Sequence, residues 1–318
     1  MKTRVAIYGF GRLGRAVFSV AARRSDLEVV AVATDTDPDD VKQLLDDDCI
    51  YGSLEREITS EDDAIQVDGK TVTLVPTKLA DQWKKHDITI VIDCLSPDAS
   101  KQLMAEHQKA GAQRVVFAAT GEGIEQIALA VNEEDLPKSG DAISCGGPAT
   151  CAVAPVREIL TELCGVEQSL VTTIDGNLDC SDAACSCDCG ETCDCEGGCT
   201  CETDSASTNV PVPKLVASCS EFIFVSKHTI TAEKINDSIA VAAKAPYYQG
   251  IIAVSDEPVV GDQAIGESVS GLVDVTRTEV QGGRLVSVKI WYDREWSYAN
   301  RIVEITADYA KLAHGSAR

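Results

Sequence analysis

The chain has 318 residues, 44% of them hydrophobic and 25% charged, which is the composition of a water-soluble globular protein with room for two domains. Its net charge of −23 would repel phosphates, so we expect neither a nucleic-acid partner nor an anionic membrane surface. No stretch approaches the ~20 apolar residues of a membrane helix. The N-terminus reads as a strand and not as a signal peptide, so the expected compartment is the cytoplasm.

The first 140 residues alternate short apolar runs with amphipathic stretches, which predicts a parallel sheet with right-handed crossovers. We predict strands at Arg4–Tyr8, Glu28–Ala33, Thr71–Val75, Thr89–Ile92 and Arg114–Ala118. The predicted helices are Leu13–Arg23, Asp39–Asp46 and Ser100–Ala110. Gly52 and the dipeptide Asp68-Gly69 indicate a small hairpin within this region.

The second half continues with a helix at Ala149–Leu163, which has Pro148 at its first turn, and a strand at Ser169–Ile174. From Asn177 to Asn209 the composition changes to Cys, Asp, Glu, Gly, Ser and Thr, and such a segment cannot fold alone. The remaining predicted elements are a strand at Glu221–Ser226, a helix at Ala232–Ala243, strands at Asp274–Glu279 and Arg284–Tyr292 joined by Gly282-Gly283, and a helix from Tyr298 to Ala313.

These elements predict an α/β fold with two domains. The N-terminal domain is a Rossmann-type parallel sheet, formed by residues 1–147 plus 298–318. The second α/β domain, residues 148–297, contains a largely antiparallel sheet and carries residues 177–209 as a cysteine-rich acidic insert.

The motif Gly9-Phe10-Gly11-Arg12-Leu13-Gly14 follows the first strand and opens the first helix. In this context Gly9 permits the tight turn, Gly11 lets the backbone approach a pyrophosphate, and Gly14 lets helix and strand pack closely. The helix N-terminus adds N–H donors and positive potential. The motif therefore predicts a dinucleotide site.

An acid that holds the adenosine ribose is expected at the end of the second strand, about 20 residues past the glycines. Thr34 stands at that strand end, with Asp35 and Asp37 just beyond it. An uncharged residue there relaxes discrimination against a ribose 2′-phosphate. The sequence therefore leaves NAD and NADP both open as the cofactor.

The chain resembles phosphorylating glyceraldehyde-3-phosphate dehydrogenases over most of its length, apart from about residues 177–209. The stretches that carry the resemblance are Val5–Arg15, Glu28–Val32, Leu44–Asp48, Ala110–Ala112, Val131–Asp135, Ala154–Val156 and Trp291–Arg301. The resemblance implies a Rossmann domain, a second α/β domain and a homotetramer. It also implies that Asn300 hydrogen-bonds the nicotinamide carboxamide.

In this family a cysteine thiolate attacks the aldehyde, and a histidine lowers the pKa of that thiol and then takes a proton. The family's cysteine stands shortly before an Ala-Pro-Val run. Counting back without gaps from Ala154–Val156 places Pro148 at its position. Cys145 precedes Pro148 by three residues and Cys151 follows it by three, so either thiol needs a local shift to serve as the nucleophile.

Two further family positions are substituted. The run that ends in the family's histidine reads Thr172-Thr173-Ile174-Asp175 here, and a carboxylate raises the pKa of a neighbouring thiol. The arginine that binds the substrate phosphate aligns with Asn209. The histidines of this chain lack catalytic context and are interpreted as surface or packing residues, namely His86, His107, His228 and His314.

The insert carries closely spaced thiols in repeated Cys-x-Cys units, at Cys180, Cys185, Cys187, Cys189, Cys193, Cys195, Cys199 and Cys201. Thiolates this dense resemble metallothionein-type sites for soft ions, with Zn(II) or Cu(I) as the expected metal, and ligation would supply the folding energy that apolar burial does not. An iron–sulfur cluster is a further alternative, although the spacing is not one of its familiar runs. A disulfide redox switch and an oxidisable loop without a dedicated ligand remain alternatives.

Three hypotheses follow. The first is a family member that binds NAD or NADP, lacks ordinary phosphorylating dehydrogenase activity, and holds metal in its insert as a sensor, store or scaffold. The second is an NAD(P)-dependent aldehyde oxidoreductase in which Cys145 or Cys151 is a relocated nucleophile. The third is a metal buffer that has lost cofactor binding. The expected partners are a dinucleotide and further copies of the chain.

Overall fold

The computed structural model describes residues 2–78, 83–136, 141–176 and 217–313. These ranges contain two sheets, here called sheet A and sheet B. The strands of sheet A are β1 (Thr3–Tyr8), β2 (Leu27–Ala33), β3 (Ile58–Ser60), β4 (Ala64–Val67), β5 (Lys70–Val75), β6 (Ile90–Asp93), β7 (Arg114–Phe117), β8 (Glu125–Gln126) and β9 (Ala142–Ser144). The strands of sheet B are β10 (Val166–Ile174), β11 (Ser218–Ser226), β12 (Ile252–Ser255), β13 (Gly271–Gln281) and β14 (Leu285–Tyr292).

The helices are α1 (Arg12–Ala22), α2 (Pro38–Asp46), α3 (Lys101–Lys109), α4 (Pro148–Cys164), α5 (Ala232–Ala242) and α6 (Trp296–Ala313). Each predicted helix is present, with its ends shifted by a few residues. Across the described ranges, no helix combines the length and the low polarity that crossing a bilayer requires.

Sheet A has the strand order β3-β4-β5-β2-β1-β6-β7-β9-β8. The strands from β5 to β8 pair in parallel, whereas β3, β4 and β5 pair antiparallel at one edge. Asp68 and Gly69 form the turn between β4 and β5, both with positive φ (51° and 73°). The predicted parallel sheet and its hairpin are therefore confirmed.

Helices cover both faces of sheet A. Apolar residues of α1, α2 and α6 share one core with β1 and β2, and Tyr298, Ile302 and Tyr309 of α6 are fully buried in it. On the other face, α3 packs against β7. The last helix of the chain thus completes the core of the first sheet. The predicted domain limits at residues 147 and 298 stay a prediction, and this packing supports them.

Sheet B has the order β10-β11-β14-β13-β12 and is antiparallel except where β12 joins β13. Gly282 and Gly283, with φ of 57° and 72°, make the turn between β13 and β14. The helices α4 and α5 pack on one face of the sheet, over a core that includes Phe222, Phe224, Val286, Val288 and Ile290. The largely antiparallel second sheet is therefore confirmed, while β12 had no counterpart among the predicted strands.

Candidate functional site

The glycine loop lies at the carboxyl end of β1, between β2 and β6, where the strand order of sheet A reverses. Gly9 has a φ of 94°, a backbone conformation that favours glycine. A Cβ atom on Gly14 would lie 2.1 Å from the carbonyl oxygen of Gly9, so only glycine lets α1 pack this closely against β1. A Cβ on Gly11 would meet nothing within 4 Å. The loop therefore presents open space at the N-terminus of α1, where a pyrophosphate fits.

Two side chains of the loop, Phe10 and Leu13, pack into the core, and a third, Arg12, is exposed to solvent. Phe10 is buried and packs edge-on against Phe18, with ring centroids 5.9 Å apart, and Leu13 is partly buried against the same core. Arg12 is half exposed, and its Nε lies 3.9 Å from Oε1 of Glu295. Burial raises the pKa of that glutamate, and the nearby arginines oppose the shift. Apolar contacts of Phe10 and Leu13 thus anchor the loop to the core, and the pair of Arg12 and Glu295 lies at its edge.

The ribose corner at the end of β2 has a defined geometry. Thr34 is buried, and its Oγ1 accepts a hydrogen bond from the backbone N–H of Thr36 at 3.1 Å. Asp35 is exposed, and its carboxylate accepts hydrogen bonds from the backbone N–H and the hydroxyl of Thr77. Thr77 follows β5, the neighbouring strand. The acid nearest to the strand end is therefore held in one orientation by the next loop.

Asn300, the residue that the resemblance places at the nicotinamide, lies in the first turns of α6 and is partly buried. Its Nδ2 donates a hydrogen bond to the carbonyl oxygen of Trp296, 2.8 Å away in the same helix. This bond uses one of the two N–H donors of the side chain. Its proposed contact with nicotinamide stays a prediction.

Pro148 is the first residue of α4, after Gly147 as the N-cap. Proline suits this position because its missing N–H would have no intrahelical partner. It offers no group that could attack a carbonyl. The loop before it is tied to α6, because the hydroxyl of Tyr298 donates to the carbonyl oxygen of Gly146.

The two candidate thiols flank this position and are both buried. Cys145 directly follows β9, and Cys151 lies in the first turns of α4, where its Sγ donates to the carbonyl oxygen of Cys145 at 3.4 Å. Burial raises the pKa of Cys145 well above its ordinary value and that of Cys151 to about 12. Both thiols are therefore protonated at neutral pH, whereas nucleophilic attack requires the thiolate.

Asp175 directly follows β10 and is exposed. Beside it, a chain of hydroxyl groups links three adjacent strands. The hydroxyl of Ser220 lies 2.9 Å from that of Thr173 and 3.1 Å from that of Tyr292. Burial, with a smaller contribution from Asp175, raises the pKa of Tyr292 to about 12. Among the described residues, this end of sheet B thus offers three hydroxyl groups and the carboxylate of Asp175, and no histidine is hydrogen-bonded to them.

The hydroxyl chain was not found from the sequence. The signal in the sequence is that Ser218 and Ser220 stand at alternate positions, in the same buried register as Phe222, Phe224 and Ser226. Polar residues in a buried register indicate a hydrogen-bonded cluster. That signal was hidden because the predicted strand began only at Glu221.

Comparison with known proteins assigns both parts of the chain. Residues 3–97 match the family described as glyceraldehyde 3-phosphate dehydrogenase, NAD binding domain, and residues 201–294 match the corresponding C-terminal domain. Glyceraldehyde-3-phosphate dehydrogenase 2 of Bacillus subtilis is 30% identical, over the full length of both chains. The enzyme of Geobacillus stearothermophilus is 28% identical, over 96% of this chain and 98% of its own.

The chain belongs to the glyceraldehyde-3-phosphate dehydrogenase family. The chloroplastic glyceraldehyde-3-phosphate dehydrogenase of Chondrus crispus is also similar, at 30% identity over 96% of this chain. The family resemblance read from the sequence is therefore confirmed, as is the NAD-binding character of the N-terminal part. The matched range of that NAD-binding domain contains the glycine loop, Thr34 and Asp35.

Several predicted site residues of this family member lie outside the described residues. They are Asn209, His314 and the thiols Cys180, Cys185, Cys187, Cys189, Cys193, Cys195, Cys199 and Cys201. In the described part of the chain, no group of three or more His, Cys, Asp or Glu side chains is arranged to hold a metal ion. The prediction of a metal site thus depends on the spacing of the insert's thiols alone.

Proposed function

We propose that this family member binds a dinucleotide but does not catalyse phosphorylating oxidation of glyceraldehyde 3-phosphate. The observation that carries the proposal is Pro148 at the first position of α4, where the family's cysteine is expected. A proline cannot form the covalent adduct with the aldehyde on which this chemistry depends. The open space at Gly11 and the close packing of Gly14 on Gly9 support retained cofactor binding.

The surroundings of Pro148 favour this proposal over a relocated nucleophile. Cys145 and Cys151 are buried thiols with raised pKa values. A carboxylate stands at the expected histidine position, as Asp175, and a carboxylate opposes ionisation of a nearby thiol. The alternative function, an NAD(P)-dependent aldehyde oxidoreductase, therefore requires both a rearranged α4 N-terminus and a base from elsewhere.

The deciding experiment measures binding and turnover on the same preparation. We expect NAD to bind in a fluorescence or calorimetric titration, and we expect no NADH formation when glyceraldehyde 3-phosphate and phosphate are added. Aldehyde-dependent NADH formation that is lost in Cys145→Ser or Cys151→Ser would establish the alternative instead. A chain that binds neither NAD nor NADP would contradict both and leave the metal-buffer hypothesis.

We further propose that the insert thiols from Cys180 to Cys201 bind Zn(II) or Cu(I), as a sensor, store or scaffold. Repeated Cys-x-Cys units support this, because neighbouring thiolates can bridge soft metal ions, and eight acidic residues between Asp179 and Asp204 attract cations. The test is anaerobic purification, elemental analysis and thiol counting. Stoichiometric metal with protected thiols is expected; metal-free protein with freely alkylated thiols, or with disulfides, would contradict it.

The outer face of sheet B supports a homo-oligomer, which the family resemblance gives as a tetramer. The strand registers place six apolar side chains on the face opposite α4 and α5, namely Leu170, Ile174, Ile223, Val225, Leu285 and Trp291. Leu170 is 63% exposed. The indole N–H of Trp291 is buried and has no hydrogen-bond partner. We propose that a second copy of the chain covers this face, because burying such a surface is favourable.

A further inference from the structure

A fully buried acid–histidine pair lies beneath the glycine loop. Asp93 is the last residue of β6, and His107 lies in α3; their exposed fractions are 1% and 0%. His107 Nε2 is 3.0 Å from Oδ2 of Asp93. Buried charged groups are costly unless they are hydrogen-bonded, so this pair has a defined arrangement.

The contact with Trp83 shows which ring nitrogen of His107 carries the proton. The indole Nε1–H of Trp83 points at His107 Nδ1, at 3.4 Å, and an indole N–H can only donate. Nδ1 must therefore be an acceptor, so the proton of the neutral ring is on Nε2. His107 thus donates its Nε2–H to Oδ2 of Asp93.

The carboxylate of Asp93 organises the turn that follows β6. Its Oδ1 accepts from the backbone N–H groups of Leu95 and Ser96, at 3.0 and 2.9 Å, and its Oδ2 accepts from the Ser96 hydroxyl at 2.7 Å. With the bond from His107, four donors surround this one side chain. The conformation of residues 94–96 is therefore held by hydrogen bonds to the buried side chain of Asp93.

That turn forms the wall opposite the glycine loop. The backbone N–H of Cys94 donates to the carbonyl oxygen of Tyr8, and a Cβ on Gly9 would lie 2.6 Å from Cβ of Leu95. The two segments touch at the carboxyl ends of β1 and β6, at the point in a doubly wound sheet where dinucleotides bind. A displacement of Leu95 would therefore narrow or widen the space beside Gly9.

The same pair also supports the ribose corner. The ring of Tyr8 packs edge-on against the ring of His107, with centroids 4.9 Å apart. The hydroxyl of Tyr8 donates to the carbonyl oxygen of Thr77 at 2.8 Å, and Thr77 in turn holds Asp35. His107 is thus in contact, through short chains of neighbours, with two separate walls of the cofactor pocket.

We propose that Asp93 and His107 are positioning residues for dinucleotide binding, acting through the turn at Leu95–Ser96 and through Tyr8. The proposal rests on the proposed dinucleotide binding. The Asp93–His107 pair does not itself touch the cofactor but holds the walls of the pocket in place. The proposal requires the specific donor and acceptor pattern of His107, and not merely an apolar group that fills the same space.

The test compares variants of His107 by NAD titration of the full-length chain. His107→Gln keeps an acceptor for Trp83 and a donor for Asp93, whereas His107→Leu fills similar space with neither. We expect His107→Leu and Asp93→Asn to weaken NAD binding about tenfold, the loss expected when buried hydrogen bonds are broken, and His107→Gln to stay within about twofold of wild type.

Asp274→Asn is the matched control. Asp274 is also fully buried and also accepts hydrogen bonds from two backbone N–H groups, those of Val259 and Thr276, but it belongs to sheet B. We expect this variant to lower the melting temperature as Asp93→Asn does, while leaving the Kd for NAD unchanged. This comparison separates a general loss of stability from a loss of pocket geometry.

Wild-type affinity in His107→Leu or Asp93→Asn, at reduced melting temperature, would overturn the proposal, since the pair would then be structural only. Equal weakening in His107→Gln and His107→Leu would overturn it as well. If those variants do not fold, Ser96→Ala decides: it removes one bond to Asp93 at the turn, weaker NAD binding supports the proposal, and unchanged binding opposes it. Failure of the wild-type chain to bind NAD or NADP would instead refute the proposed function.

Discussion

The Cβ atom that Gly14 lacks would lie 2.1 Å from the carbonyl oxygen of Gly9. The contact joins the first turn of α1 to the end of β1 and involves backbone, which cannot rotate away. Gly11 lies three residues earlier in the same loop, and a Cβ atom there would meet nothing within 4 Å. The two glycines therefore have separable roles, one in packing and one in ligand approach.

Substituting each glycine by alanine tests this separation. We expect Gly14→Ala to lower the free energy of unfolding by about 1–3 kcal/mol, because the added methyl overpacks the contact with Gly9. Gly11→Ala is expected to change stability by less than about 0.5 kcal/mol. It should nevertheless weaken NAD binding about tenfold or more, because the methyl occupies the space of the pyrophosphate. Denaturant unfolding and NAD titration measure the two effects, and equal losses of stability would contradict the assignment.

The buried thiols of Cys145 and Cys151 should resist alkylation. Burial raises both pKa values, so at pH 7–8 each group is the unreactive protonated thiol, and its reactivity grows only as the pH approaches the raised pKa. We expect iodoacetamide to leave both residues unmodified in the folded protein, and to modify them fully in urea, as measured by mass spectrometry of peptides. Rapid alkylation of Cys151 in the folded protein would favour the relocated-nucleophile function.

The charge of Asp35 should disfavour a 2′-phosphate. Thr77 holds this carboxylate at the end of β2, and a phosphate brought near it adds repulsion of about 1–2 kcal/mol in water. Asp35→Asn is therefore expected to shift the ratio of NADP to NAD affinity by about tenfold towards NADP. Asp62→Asn removes a charge from an exposed turn elsewhere in the N-terminal domain and should leave the ratio unchanged. An unchanged ratio in Asp35→Asn would place the discrimination at another residue.

The outer face of sheet B should control assembly. Leu170→Glu places a charge on the exposed apolar face, on the edge strand β10, and should reduce the oligomeric state, as measured by light scattering. Val241→Glu makes the same kind of change on the exposed side of α5, where the side chain is 72% exposed, and should have no such effect. An unaltered mass for Leu170→Glu would mean that another surface joins the copies.

Local patterns predicted the fold well. The glycine loop, the hairpin turn at Asp68-Gly69 and the turn at Gly282-Gly283 were correct, because glycines at positive φ are set by the few residues around them. The ladder between β12 and β13 was missed, because parallel pairing of Ile252–Ser255 depends on a strand about 20 residues later and leaves no local turn signal. Pairing between strands so far apart in sequence is determined by how the whole sheet packs, and not by the residues next to either strand.

The site was predicted unevenly for the same reason. Thr34 and Pro148 could be placed from neighbouring motifs, and the structure puts them at a strand end and a helix start. His107 was interpreted as a surface or packing residue, and it is indeed buried, but its partnership with Asp93 joins a helix to a strand end 14 residues earlier. The burial of Cys145 and Cys151 was equally invisible, because the core that contains both thiols also includes residues of α6, more than 140 residues further along the chain.

The position of α6 also constrains how the chain is made. Tyr298, Ile302 and Tyr309 fill the core of sheet A, although α6 is far along the chain from the strands that it covers. The apolar face of sheet A therefore stays incomplete until α6 has been synthesised. A nascent chain stalled before α6 would consequently expose that face to chaperones.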